Sequence, residues 1–182
     1  MRILLPSLIL MAACTEGTGL QCPPNTTVVG QYSLAYTAVH DAGECQADAG
    51  DGGVTNLTLS NLAPKASMLC VGTGSDGGPQ PQLLVQGKSG ANLLALREDG
   101  GFHLSNTPLD AQQTACVCEI SIVESLDGFL QTSGPFALRP DGGLPPITGI
   151  TATLSDQITS QAAGCLCTFP CTVTYTIAGT PF

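Results

Sequence analysis

The stretch Val28-Val-Gly-Gln-Tyr-Ser-Leu-Ala-Tyr-Thr-Ala-Val39 alternates in character, with Tyr32, Leu34 and Tyr36 on one side and Gln31, Ser33 and Thr37 on the other. Successive side chains of a strand point to opposite faces, so this is the period of a half-buried β-strand. Residues 54–60, 67–72, 82–86, 92–97, 115–125, 147–154 and 172–177 read the same way, spaced by Gly, Pro, Asp and Asn. Together they predict an all-β fold, an antiparallel β-sandwich or small barrel of about eight strands. A single segment has helical character, 155–163, with Ser155 placed as its cap.

Asp-Gly-Gly occurs four times, at Asp51, Asp76, Asp99 and Asp141. Aspartate tolerates unusual backbone angles and glycine permits positive φ, so Asp-Gly between apolar runs predicts hairpin turns. The alternative use of these carboxylates is calcium, which wants about 6 to 8 oxygens converging on one point. Two of the turns belong to a longer echo: Leu96-Arg-Glu-Asp-Gly-Gly-Phe102 matches Leu138-Arg-Pro-Asp-Gly-Gly-Leu144, and a Cys-x-Cys follows each. It reads as a diverged duplication spanning about 93–128 and 135–179.

There are nine cysteines, and setting Cys14 aside leaves eight: Cys22, Cys45, Cys70, Cys116, Cys118, Cys165, Cys167 and Cys171. An even set in an exported chain predicts four disulfides. A bridge within either Cys-x-Cys would be strained, so each of these cysteines is expected to pair elsewhere. Cutting the chain between Cys70 and Cys116 leaves three and five of the eight, and cutting between Cys118 and Cys165 leaves five and three. Odd counts require a bridge across each cut, which makes residues 22–182 one covalently knitted domain. A zinc site of Cys165, Cys167, Cys171, Cys116 and Cys118 is the rival use of these thiols; an oxidising compartment favours disulfides, and no metal or cofactor is assigned.

The chain begins Met1-Arg2, runs through the apolar Ile3 to Met11, and reaches Ala12, Ala13 and Cys14. A positive start, a short apolar run and small residues make an export signal too short to span a bilayer. This opening, residues 1–14 only, resembles the lipobox of bacterial lipoproteins. The resemblance implies removal of residues 1–13, acylation of Cys14 and a partner in the membrane itself. Because Thr15 is not aspartate, it also implies the outer membrane, facing the periplasm or the cell surface. Residues 14–21 would then be a short flexible tether. An ordinary cleaved signal, giving a free secreted protein, is the alternative.

Without residues 1–13 the charged groups are Lys65, Lys88, Arg97 and Arg139 against fourteen acids, a net charge of −10. Nucleic-acid binding through phosphates, which needs clustered Lys and Arg, is excluded. Attraction to anionic lipid is excluded too, so a covalent anchor would have to hold the domain at a membrane alone. No nucleophile elbow, metalloprotease helix, phosphate loop or dinucleotide fingerprint occurs. His40-Asp41, with Ser33 or Ser105 as an imagined nucleophile, is the nearest approach to a triad, and His103 reads as a strand residue. Glu119 and Glu124 fall on opposite faces of one strand and so cannot form a carboxylate pair for glycoside cleavage. No catalytic residue is assigned. The expectation is a membrane-anchored lipoprotein with a structural or interaction role; a surface module for glycan or calcium is the alternative, and any protein or glycan partner is left open.

Overall fold

A computed structural model describes residues 20–39, 45–48, 54–56, 66–87, 90–105, 109–113, 118–137, 139, 143–160 and 164–182. The described residues form eleven strands and no helix: β1 (Thr27–Val39), β2 (Gln46–Asp48), β3 (Val54–Asn56), β4 (Ala66–Thr73), β5 (Pro79–Gly87), β6 (Gly90–Ala95), β7 (Gly101–Ser105), β8 (Leu109–Gln113), β9 (Cys118–Thr132), β10 (Ile147–Thr159) and β11 (Cys171–Pro181).

Nine of them make one antiparallel sheet in the order β6-β5-β4-β1-β11-β10-β9-β7. β8 lies beside the first half of β9 and β7 beside its second half. The sheet is nearly closed into a barrel. Of the two expected architectures, this arrangement comes nearer the barrel. β1 sits between β4 and β11, so the first and last long strands pair, Tyr36 opposite Ile177 and Leu34 opposite Gly179. β6 and β7, at the two ends of the order, are consecutive in the chain. The turn between them is fastened to β9 by the Leu130 amide, which donates to the Gly100 carbonyl at 3.0 Å. The short β2–β3 sheet reaches the rest through a bridge between Ala47 and Cys167.

The alternation seen in the sequence becomes inside and outside. Tyr32, Leu34, Leu69, Leu83, Val85, Phe102, Ile122, Leu126, Ile150, Leu154, Val173 and Ile177 are buried in one cluster. Burying each large side chain contributes about 1.5–3 kcal/mol, so this interior is the main source of stability besides the disulfides. Phe102 occupies it because its neighbour across the ladder is Gly128. A Cβ on Gly128 would lie 2.5 Å from the Phe102 ring and 2.6 Å from Ala152.

Two described turns share one construction. Gly77 and Gly100 have φ of 77° and 78°. The Gly77 and Gly100 amides donate to the carbonyls of Gly74 and Arg97, at 3.0 and 2.9 Å. This is a tight turn followed by a left-handed residue, which glycine adopts without steric cost. The Arg139 amide donates to Gly143 O at 2.7 Å, as the Arg97 amide does to Gly101 O at 2.8 Å, so both arms of the sequence echo carry this bond. Strands β7, β8 and β9 follow the first arm, and β10 and β11 follow the second.

The helix expected at 155–163 is not formed over its first five residues, which instead continue β10 to Thr159; residues 161–163 lie outside the described set. The reason is tertiary. Leu154, Asp156 and Ile158 each meet a β9 residue on one side and a β11 residue on the other, and pairing on both edges outweighs the local capping signal at Ser155. β7 and β8 fall outside the alternating runs of the sequence, though His103 of β7 reads there as a strand residue.

Candidate functional site

Among the described cysteines, Cys22 is bonded to Cys70, Cys45 to Cys171 and Cys118 to Cys165. Cys167 is disulfide-bonded as well. Neither Cys-x-Cys closes on itself: Cys118 and Cys165 pair with each other across 47 residues. The Cys45–Cys171 bridge spans 126 residues and crosses both of the cuts that parity marked. Cys14 and Cys116 lie outside the described residues, as do His40, Asp41, Asp51 and Asp141.

Among the described residues the interior is closely packed at the Phe102 level of the sheet. A cavity of about 10 Å³ lies among Leu34, Ser67, Phe102, Leu126, Ile150 and Ile177. That is at the threshold for one water, which would need two or more polar partners, and Ser67 supplies the lone hydroxyl in this lining.

Further along the interior, Glu124 on β9 and Asp156 on β10 are direct cross-strand partners. Both are buried, with 4% and 0% exposure. Cross-strand neighbours have Cβ atoms about 4.5–5.5 Å apart, so two carboxyl groups share one enclosed patch. Tyr36 is held protonated nearby: burial first, and then the charge of Glu124, push its phenol up to about 12. Burial alone pushes the Tyr32 phenol up. The Glu124–Asp156 pair was missed at the level of sequence because Asp156 fell in the supposed helix. The available signal was Ile150, Ala152, Leu154, Asp156 and Ile158, an unbroken every-second-residue series with one acid in it. Enclosure bars a glycosidase role, since a sugar would have to reach between the carboxyl groups. Glu119, the acid considered with Glu124, is exposed on the opposite face of β9, as its spacing required.

On the outer surface, His103 of β7 and Asp127 of β9 are also cross-strand partners. The Nδ1–H of His103 donates to Asp127 Oδ1 at 2.8 Å, with both side chains more than half exposed. His103 is thus the strand residue the sequence implied. A histidine–aspartate pair on an open strand face has no walls to orient a substrate or exclude water. The carboxylates of Asp76 and Asp99 serve their own turns, accepting from the amides of Gly78 at 3.0 Å and Gly101 at 2.9 Å. No cluster of three or more metal-ligating side chains is present among the described residues.

Outside the barrel, Leu20, Cys70 and Leu84 are buried together, with Cys22 and Met68 packed against them. The segment that precedes β1 is thereby strapped to the outer wall of β4 and β5. No known protein family, curated protein or solved structure matches the chain.

Proposed function

We propose that this chain is an exported bacterial lipoprotein, acylated on Cys14 and held at the outer membrane, whose barrel is a structural or interaction module working through its outer surface. The observation that carries this reading is the oxidised state of every described cysteine, which suits a compartment outside the cytoplasm. The Met1 to Cys14 opening supplies the export signal and the acyl acceptor. Each buried methylene contributes about 0.8 kcal/mol, so two or more acyl chains would make detachment negligible despite the net charge of −10.

Mass spectrometry of the protein extracted from membranes tests this. The expected result is an amino-terminal Cys14 carrying acyl mass and no cysteine that alkylates before reductant is added. An unmodified amino-terminal peptide, or recovery of the chain free of membranes, would overturn it. The competing reading, calcium held by the Asp-Gly-Gly turns, gains nothing from Asp76 and Asp99, each of which gives an oxygen to its own turn.

A further inference from the structure

Charge is distributed very unevenly around the barrel. Strands β6, β5, β4, β1 and β11 are contiguous in the sheet and contain no Asp, Glu, Lys, Arg or His. Among the described charged residues, Asp76 lies in the β4–β5 turn at the Val28 end of these strands, its carboxylate accepting from the Gly78 amide, while Glu119, Asp127 and His103 lie on β9 and β7, and Arg97, Glu98 and Asp99 lie in the turn that leads into β7. In a chain this acidic, an uncharged wall five strands wide marks a surface with a different neighbour.

Three large apolar side chains are exposed at one end of that wall: Val28 at 44%, Val29 at 50% and Phe182 at 74%. They are adjacent, because the Phe182 amide donates to the Gln31 carbonyl at 3.1 Å, two residues beyond Val29. Val28 lies opposite Cys70 in the ladder, and Cys70 is the residue bonded to Cys22. The strap that begins at Leu20 is therefore fixed beside this apolar patch. Five residues lie between Cys14 and Leu20 along the chain, six steps with a reach of at most about 21 Å.

We propose that the uncharged wall of β5, β4, β1 and β11 faces the bilayer that holds Cys14, with Val28, Val29 and Phe182 at the depth of the headgroups. This rests on the acylation of Cys14 proposed above. The occupant is a zwitterionic lipid surface. Apolar and aromatic side chains are stable at that depth, whereas a wall bearing carboxylates would lose hydration there and be repelled by anionic headgroups. The strap orients the barrel: it draws the uncharged side down and leaves β7 and β9, with their charges, directed away.

The protein has no Trp, so one introduced Trp is a background-free reporter. The acylated, full mature chain is prepared as Phe182→Trp and, separately, as Phe129→Trp. Phe129 is an exposed β9 residue in the charged sector, three strands from β1. Each variant is reconstituted in phosphatidylcholine vesicles with brominated acyl chains, and both flotation and Trp emission are read. The expected result is flotation of both, with emission at 182 quenched about twofold or more and emission at 129 unchanged, since interfacial side chains sit within reach of the acyl boundary. Flotation with 182 unquenched, or with 129 quenched equally, overturns the orientation and leaves the anchor standing. Failure of either variant to float removes the anchor and the orientation with it. Both positions are exposed, so neither substitution threatens the fold; equal melting temperatures for both variants and the parent check this.

Discussion

Replacing Cys45 and Cys171 together by alanine tests whether the long covalent closure carries stability in the way its topology implies. The bridge closes a loop of 126 residues. Chain-entropy reasoning gives about 4.9 kcal/mol for closing such a loop at room temperature. Cys118–Cys165 already shortcuts 47 residues of it, leaving roughly 80 and an expected loss of about 4.5 kcal/mol. Ordinary domains have about 5–15 kcal/mol of net stability, so the variant should retain its fold while losing a large share of its margin. Guanidinium unfolding under oxidising conditions, followed by far-UV circular dichroism, measures the loss. A second reading separates mechanisms. Opening the loop lets the unfolded chain expand, so the slope of unfolding free energy against denaturant should rise. Cys45 is fully buried and Cys171 nearly so, and loss of their packing alone would lower the midpoint without changing the slope. A loss under about 1 kcal/mol, or an unchanged slope, would refute the entropic account.

Gly128→Ala should cost about 1–3 kcal/mol, because the added methyl overlaps the Phe102 ring and Ala152; a thermal melt within a degree of the parent would show that the barrel wall yields more easily than its packing implies. Tyr36 should form phenolate near pH 12 in an ultraviolet titration. Its folded pKa stands above the unfolded value of 10.0, so its stabilising effect is complete below pH 10 and is lost as pH rises through about 12. Glu124→Gln should lower that midpoint, because it removes the second of the two causes, and burial should keep it above 10.0. An unmoved midpoint would mean that Glu124 does not act on the phenol. Asp76→Ala removes the acceptor for the Gly78 amide and should cost about 0.5–1 kcal/mol in a denaturant melt; stabilisation of the parent by several degrees on adding calcium would instead restore the cation reading of these turns.

Within the sequence lay everything that depends on neighbours close along the chain. Alternation from Gln31 to Val39 set which side chains of β1 turn inward, because tetrahedral Cα geometry sends successive Cβ atoms to opposite faces. Asp-Gly-Gly set the turns at Asp76 and Asp99, because glycine alone takes positive φ there without steric cost. Cysteine parity required bridges across two cuts, and Cys45–Cys171 crosses both. Tertiary structure decided what alternation leaves undetermined: which strand lies beside which, and in what register. That choice put β1 between β4 and β11, carried β10 through the helical-looking Ser155 to Thr159, set Glu124 against Asp156 and His103 against Asp127, and gathered five uncharged strands into one wall. A strand's periodicity fixes its faces but not its partners. Partners are selected by closure of the whole sheet, in which Thr176 meets Thr37 across 139 residues, and the free energy of such pairings belongs to the assembled barrel and to no segment of it.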